Sequence, residues 1–152
     1  MFSKQEAAQL RKEFWTVFGQ YMSPVLSAEG EKIHWINYKT GVKGVLFKMD
    51  AVRNKASIAI DIVHPNQLTH QNLFNQLTSL KEKLHESLEE EWTWLFSTKD
   101  EHGKTLSRIY KETEASIFKK NDWPVLISFF KPRIIALDEF WSNVKYGFEG
   151  WQ

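Results

Sequence analysis

The sequence contains no cysteine among its 152 residues. This absence excludes disulfide bonds, zinc sites with thiolate ligands and cysteine nucleophiles. The chain also lacks any apolar run near the roughly 20 residues that a membrane-spanning helix requires. The segment "MFSKQEAAQLRKEF" is charged throughout and has no apolar signal-peptide core. From these absences we expect a cytoplasmic protein that does not bind membranes.

The sequence also has little net charge and few of the residues that form linkers. The 20 basic and 19 acidic side chains leave a net charge of +1, so no overall field attracts nucleic acid or an anionic membrane. Only 4 prolines and 7 glycines are present, and no proline- or glycine-rich linker divides the chain. Apolar residues make up 42% of the sequence, which at this length suits one core. We therefore expect a single domain over residues 1–152.

The spacing of apolar residues predicts a helix, three strands, a helix, two strands and a final helix. Ser3 and Glu6 form a capping box that starts the first helix, and Ser23-Pro24 ends it. The strands are predicted at "KIHWINYK", "VKGVLFKM", "IAIDIV", "EEEWTWLFS" and "LSRIYKE". The fold class is thus α+β, with a largely antiparallel five-stranded sheet.

The second and third predicted helices carry long apolar stripes. The leucine stripe from Leu73 to Leu88 predicts one continuous helix between the third and fourth strands. The last helix begins at "NDWP" and passes through Pro132, which should kink it or split it in two. The tail "YGFEGWQ" is expected to pack back onto the domain.

Asp61 is the single acid in the apolar segment "KASIAIDIV". With two-residue turns at Thr40-Gly41 and Asn54-Lys55, Met49 pairs with Ile60, and the isoleucines share one apolar face. Asp61 then lies on the opposite face, across from Lys48. Because an opposite-charge cross-strand pair contributes about 0.2–1 kcal/mol, we expect a structural role for Asp61. Asp61→Asn should then cost less than about 1 kcal/mol.

Trp35 shares this opposite face with Lys48 and Asp61. If the three helices cover the apolar face, the opposite face stays partly exposed, and its mixture of apolar and charged residues is typical of an interface. In the alternative arrangement the last helix crosses this face and buries Trp35 as core. The first arrangement makes Trp35, Lys48 and Asp61 candidate binding residues.

A metal-dependent nuclease of the restriction-enzyme type is the alternative function. Such a site carries an acid on one strand and an acid-x-Lys motif on the next, and the carboxylates hold the metal. Here Val63 stands where the lysine belongs. Asp50 as first acid, Asp61 as second and Lys48 as a relocated base would require two departures from the pattern. We therefore expect no metal-dependent cleavage of DNA or RNA.

Other cofactor sites have weak support in the sequence. A metal site from Asp61, His64 and His70 is a further alternative, but both histidines are predicted in a polar loop and near a helix start. There is no P-loop, dinucleotide fingerprint or G-x-S-x-G motif. We therefore predict no cofactor and no bound metal.

Basic residues cluster in the two predicted hairpins, near Trp35. These residues are Lys39, Lys43, Lys48, Arg53 and Lys55. Lysines of this kind hold phosphates while bases stack on aromatic rings, so Lys39 and Lys43 are candidate binding residues. Lysines in turns and edge strands also discourage aggregation, and we favour that interpretation. A protein partner or a second copy of the chain is therefore preferred over nucleic acid.

Three segments in a distinctive order resemble a bacterial family, the domain of unknown function forty-two sixty-eight. They are "LRKEFWTVFGQYM", "IAIDIVH" and "KNDWPVLISFF", and the resemblance covers roughly residues 4–145. The family's members occur alone or at the C-terminal end of longer proteins, some with nuclease-like segments. The resemblance implies an accessory role near nucleic-acid metabolism and assigns no catalytic residues. The sequence thus favours a non-catalytic binding or interaction domain.

Overall fold

The first helix begins where the capping box predicts. In the computed structural model, which describes residues 2–151 and side chains through residue 148, α1 spans Lys4–Met22. The Ser3 hydroxyl accepts the Glu6 N–H at 3.1 Å, and the Glu6 carboxylate accepts the Ser3 N–H at 3.2 Å. Ser23 is the C-cap and keeps a helical conformation, and the helix does not continue past it because Pro24 has no backbone N–H to donate.

The sheet has four antiparallel strands, and the expectation of five is wrong. The strands are β1 (Val45–Ala51), β2 (Lys55–Ile62), β3 (Thr93–Lys99) and β4 (Thr105–Glu114). Their spatial order is β1-β2-β4-β3. β3 contains an irregularity between Leu95 and Thr98, so its pairing with β4 shifts there. The α+β class and the antiparallel pairing match the prediction.

The missing strand is the predicted first one, at residues 32–39, which lies in an irregular segment between α1 and β1. Contacts with the rest of the fold replace strand pairing there. The Trp35 indole N–H donates to the Val25 carbonyl at 3.0 Å, and the Tyr38 hydroxyl donates to Asp138 at 2.5 Å. Thr40-Gly41 is therefore no hairpin tip. The Thr40 hydroxyl instead donates to the Val45 carbonyl at 2.7 Å.

The register between β1 and β2 differs from the prediction by two positions. The Val52 N–H donates to the Lys55 carbonyl at 2.8 Å, so the turn tip is Arg53-Asn54 rather than Asn54-Lys55. Moving the tip by one residue moves each partner by two, and Phe47 pairs with Ile60. Because side chains alternate with a period of two, every residue keeps its predicted face.

The helical segments also differ from the prediction at two points. The leucine stripe is divided into α2 (Gln67–Ser79) and α3 (Lys81–Leu88), because Leu80 leaves the helical conformation. By contrast, α4 (Trp123–Val144) continues through Pro132, so the predicted split is wrong. Pro132 and Ser128, whose carbonyl loses its helical partner to the proline, are both exposed to solvent. Two short 3₁₀ helices, Lys120–Asp122 and Lys145–Trp151, flank α4.

The core lies between the helices and one face of the sheet. α4 and α2 contact β2, while α1 and α3 pack on α4. The core residues of β1 and β2 belong to the predicted apolar face; they include Val45, Phe47, Ile58, Ile60 and Ile62, and Ile109 of β4 lies beside them. Phe148 in the tail is fully buried, with its ring centroid 5.0 Å from that of Trp141, so this part of the tail packs back as expected. The prediction for the rest of the tail concerns the side chain of Trp151 and Gln152, which lie outside the described residues. None of the described helices combines the length and the apolar character needed to cross a membrane.

Candidate functional site on the open face of the sheet

The opposite face of the sheet, here called the open face, is not part of this core. Its residues alternate with the core residues along the strands; they include Leu46, Lys48, Asp50, Lys55, Ser57, Ala59, Asp61, Leu95, Leu106, Arg108, Tyr110, Glu112 and Glu114. Ala59 and Leu106 are buried, yet neither belongs to the core cluster. The buried apolar side chains of the described helices all join that cluster. The described helices thus leave the open face uncovered, which is the first of the two arrangements that the sequence left open.

Asp61 forms a bidentate ion pair with Arg108 at the centre of this face. Arg108 Nε lies 2.7 Å from Oδ1 and Nη2 lies 2.9 Å from Oδ2, and the two residues are direct cross-strand partners. Asp61 is 2% exposed, whereas Arg108 keeps part of its side chain in solvent. The hydrogen bonds to Asp61 raise the pKa of the Arg108 guanidinium above its ordinary value. Such planar, charge-assisted pairs are strong and directional.

The predicted partner of Asp61, Lys48, is therefore wrong. In the observed register Lys48 lies opposite Ala59, and Leu46 lies opposite Asp61. The shifted turn moves Lys48 from Asp61 to Ala59. Arg108 becomes the partner of Asp61 because β4 lies beside β2, on the side away from β1. Asp61 keeps the structural ion-pair role that the sequence suggested, with a different partner.

Two leucines flank the ion pair, one on each side. Leu46, Asp61, Arg108 and Leu95 occupy successive strands at the same level of the sheet. Leu46 is 47% exposed and Leu95 is 40% exposed, so solvent-facing leucines flank the pair on both sides. Val63, just beyond β2, is exposed beside them. Aliphatic side chains around an arginine are typical of the centre of a protein interface.

The three residues of the nuclease alternative share the open face without forming a metal site. Asp50 is opposite Ser57, four positions along the sheet from the level of Asp61. Four residues of a strand span about 13 Å, whereas carboxylate oxygens approach a divalent metal to about 2.0–2.6 Å. Lys48 lies between these levels. Within the described part of the chain, no three histidine, aspartate or glutamate residues are grouped closely enough to hold a metal.

The remaining predicted binding residues lie elsewhere. Trp35 is 4% exposed and belongs to the segment between α1 and β1, so its expected position on the sheet surface is wrong. Lys39 and Lys43 are exposed in that same segment. The structure therefore brings Lys48 and Asp61 to one face and does not bring Trp35, Lys39 or Lys43 there.

The sequence analysis missed two interactions. Arg108 was inside a predicted strand, but no sequence signal indicated which strand lies beside it. The second is a buried carboxylate on α4: Asp138 accepts the Tyr38 hydroxyl at 2.5 Å and the Ala28 N–H at 2.7 Å. Burial, aided by the Asp138 bond, raises the pKa of Tyr38 above its ordinary value. The available signal was the position of Asp138, four residues after Ile134 and three before Trp141, at the helical spacing of the apolar stripe.

Comparison with known proteins yields one match. Residues 10–145, which include all four strands, match the family described as a domain of unknown function, DUF4268. No curated protein and no solved structure matches the chain.

Proposed function

The chain belongs to the DUF4268 family, and we propose that it is a non-catalytic interaction domain whose open face pairs with a second copy of the chain. The observation that carries this proposal is the row Leu46–Asp61–Arg108–Leu95, which is exposed at both ends. Aliphatic side chains on both sides of a partly exposed arginine are an arrangement typical of protein interfaces.

The charges of the open face favour a protein surface over nucleic acid. The open face carries both signs of charge. Its three basic residues are Lys48, Lys55 and Arg108, and its four acidic residues are Asp50, Asp61, Glu112 and Glu114. A phosphate backbone requires a mainly basic surface, which this face does not supply. In a two-fold pair the same patch is used twice, and a patch with both signs can supply opposite charges to its own copy. The mixed charge therefore supports a second copy as the occupant.

The area of the face suits a reversible pair. Four strands of 7–10 residues cover a flat area of roughly 500 Å², given strand spacings of about 4.8 Å and rises of about 3.3 Å per residue. A standard interface takes about 800 Å² of accessible surface from each partner. We therefore expect association at roughly micromolar concentrations rather than a permanent dimer.

The surroundings of Asp61 support a non-catalytic role. Both of its carboxylate oxygens are bound by Arg108, so a metal would have to displace a buried ion pair. Asp50, the other acid of the nuclease alternative, sits at a distant level of the sheet. The family resemblance implies an accessory role near nucleic-acid metabolism, and we propose that such a pair acts there.

Two matched variants test the proposed pairing. Leu46 on the open face and Leu26 before β1 are similarly exposed. Leu46→Lys should abolish dimer formation in light scattering after size-exclusion chromatography, because it buries a charge in the interface. Leu26→Lys should associate as the unmodified chain does, and equal behaviour of the two variants would contradict the proposal.

In a parallel assay, magnesium or manganese should support no cleavage of DNA or RNA; cleavage that Asp61→Ala abolishes would establish the nuclease alternative.

A further inference from the structure

A cavity of about 710 Å³ opens where β2 ends, between α2 and the β3–β4 hairpin. Its volume lies within the range of about 300–1,000 Å³ that is typical of small-molecule sites. Its polar wall is formed by Lys104, His64, His70, Gln67 and Gln71. No aspartate or glutamate is among the described residues that line it. The wall therefore offers a cation and several hydrogen-bond donors to an anionic ligand.

His64 is held in a defined orientation. Its Nδ1 accepts the Asn66 N–H at 3.1 Å, so in the neutral ring the proton lies on Nε2, which is left as a donor. On the other side, Gly44 has a φ of +85°, and a Cβ at this position would lie 2.7 Å from His64 Cβ. A glycine is therefore required for the close packing of Gly44 against His64. A donor fixed in this way loses little entropy when it binds a ligand.

The opposite wall contains a strained backbone position. Ser97 adopts a positive φ of 56° at the irregularity of β3, a conformation that costs a non-glycine residue free energy. Its N–H donates to the hydroxyl of Ser107 at 2.9 Å, and this hydroxyl also lies 2.7 Å from His70 Nε2. Ser107 is fully buried, so it links Ser97 to His70 and does not contact ligand. Strained residues and β-bulges concentrate at binding sites.

An aromatic ring stands in the same wall. Phe96 is 51% exposed, and its centroid lies 6.1 Å from that of His70 and 5.0 Å from that of Phe74. These neighbours support one side of the ring and leave the remainder to solvent. Exposed aromatic rings beside basic groups stack on nucleobases.

We infer that this cavity binds a mononucleotide, with its phosphoryl group at Lys104 and His64 and its base against Phe96. The acid-free wall accounts for the phosphoryl group, since a like charge nearby would repel it. The exposed ring accounts for the base, which a simple inorganic anion lacks. A free mononucleotide and the 5′-terminal nucleotide of a strand present this same chemistry. The site is separate from the ion pair of the open face, because neither Asp61 nor Arg108 lines the cavity.

Isothermal titration with adenosine monophosphate, adenosine and inorganic phosphate tests the assignment. The monophosphate should bind, and adenosine should bind at least about tenfold more weakly, given the strength of charge-assisted hydrogen bonds. Lys104→Met should weaken monophosphate binding at least about tenfold, whereas Lys99→Met, an exposed lysine on β3 outside the cavity, should not. Phe96→Ala should weaken the monophosphate about tenfold and leave phosphate binding unchanged.

Further measurements distinguish a free nucleotide from a strand end as the ligand, and failure of this inference from failure of the proposed pairing. Tighter binding of a 5′-phosphorylated trinucleotide than of the monophosphate assigns the site to a strand end, and the reverse assigns it to free nucleotide. Addition of monophosphate should also shift the ring resonances of His64, a readout that needs no variant. Leu46→Lys should bind the monophosphate as the unmodified chain does. Absence of binding at millimolar monophosphate, or equal binding by Lys104→Met and Lys99→Met, would overturn the inference and leave the pairing of the open face untouched.

Discussion

Arg108 and Asp61 face each other across β2 and β4, with both guanidinium–carboxylate contacts below 3 Å. This pair replaces the cross-strand contact with Lys48 that the sequence suggested, and it is more deeply buried than a surface pair. Removing one partner of a buried pair leaves the other without compensation. The energetic weight of Asp61 is therefore greater than the sequence alone indicated.

Asp61→Asn should destabilise the domain by about 2–3 kcal/mol, below the roughly 3–5 kcal/mol of fully buried pairs because water reaches part of Arg108. The control is Asp50→Asn, an exposed acid of the same face, which should change stability by less than about 0.5 kcal/mol. Urea denaturation gives both values. A loss under about 1 kcal/mol for Asp61→Asn, the value for a surface cross-strand pair, would refute the central role of the ion pair.

Trp35→Ala should cost about 3–5 kcal/mol, the range for a large aromatic residue removed from a core. Trp35→Phe should cost less, because it preserves much of the packing and loses the indole bond to the Val25 carbonyl. Thermal or chemical denaturation distinguishes the two. A Trp35→Ala protein with an unchanged melting temperature would place Trp35 on the surface, where the sequence analysis expected it.

Tyr38 should make the stability of the domain depend on alkaline pH. Its pKa is raised in the folded state, so its contribution is complete below the ordinary tyrosine pKa of about 10. The contribution decreases as the pH rises above that value, because the unfolded state then loses its proton first. Tyr38→Phe should reduce the loss of stability between about pH 9.5 and 11, whereas exposed Tyr21→Phe should retain it. Identical pH profiles for both variants would contradict a neutral, buried Tyr38.

Gly44→Ala should destabilise the domain more than Gly30→Ala. Both glycines have positive φ, +85° and +78°, so alanine introduces backbone strain at each. Only at Gly44 would the new Cβ also collide with His64, since nothing lies within 4 Å at Gly30. We expect the difference to be at least about 1 kcal/mol, the lower range for overpacking. Equal losses in denaturation would show that His64 yields without cost.

Local periodicity predicted which face the residues of β1 and β2 occupy, and it did so although the register was wrong. Phe47 and the isoleucines of β2 reached the core because a shift of two positions preserves faces. The capping box of α1 was equally readable, since Ser3 and Glu6 interact within one turn.

Interactions between distant segments were not readable from local patterns. "KIHWINYK" alternates as a strand should, yet Tyr38 bonds to Asp138 one hundred positions away, and Trp35 turns inward to Val25. The partner of Asp61 depended on the order of strands, because β4 lies beside β2 on the side away from β1. The sequence thus indicated that Lys48 and Asp61 share a face, while the contact of Asp61 with Arg108 was found only in the folded chain.

Sedimentation velocity of the unmodified chain over a concentration series tests the proposed pairing most directly. The account predicts reversible conversion, at roughly micromolar concentrations, from a species of 17.9 kDa to one of twice that mass. The Leu46→Lys chain should sediment as the smaller species throughout. A single 17.9 kDa species at every concentration of the unmodified chain, or a dimer that persists in Leu46→Lys, would contradict the claim that the open face joins two copies.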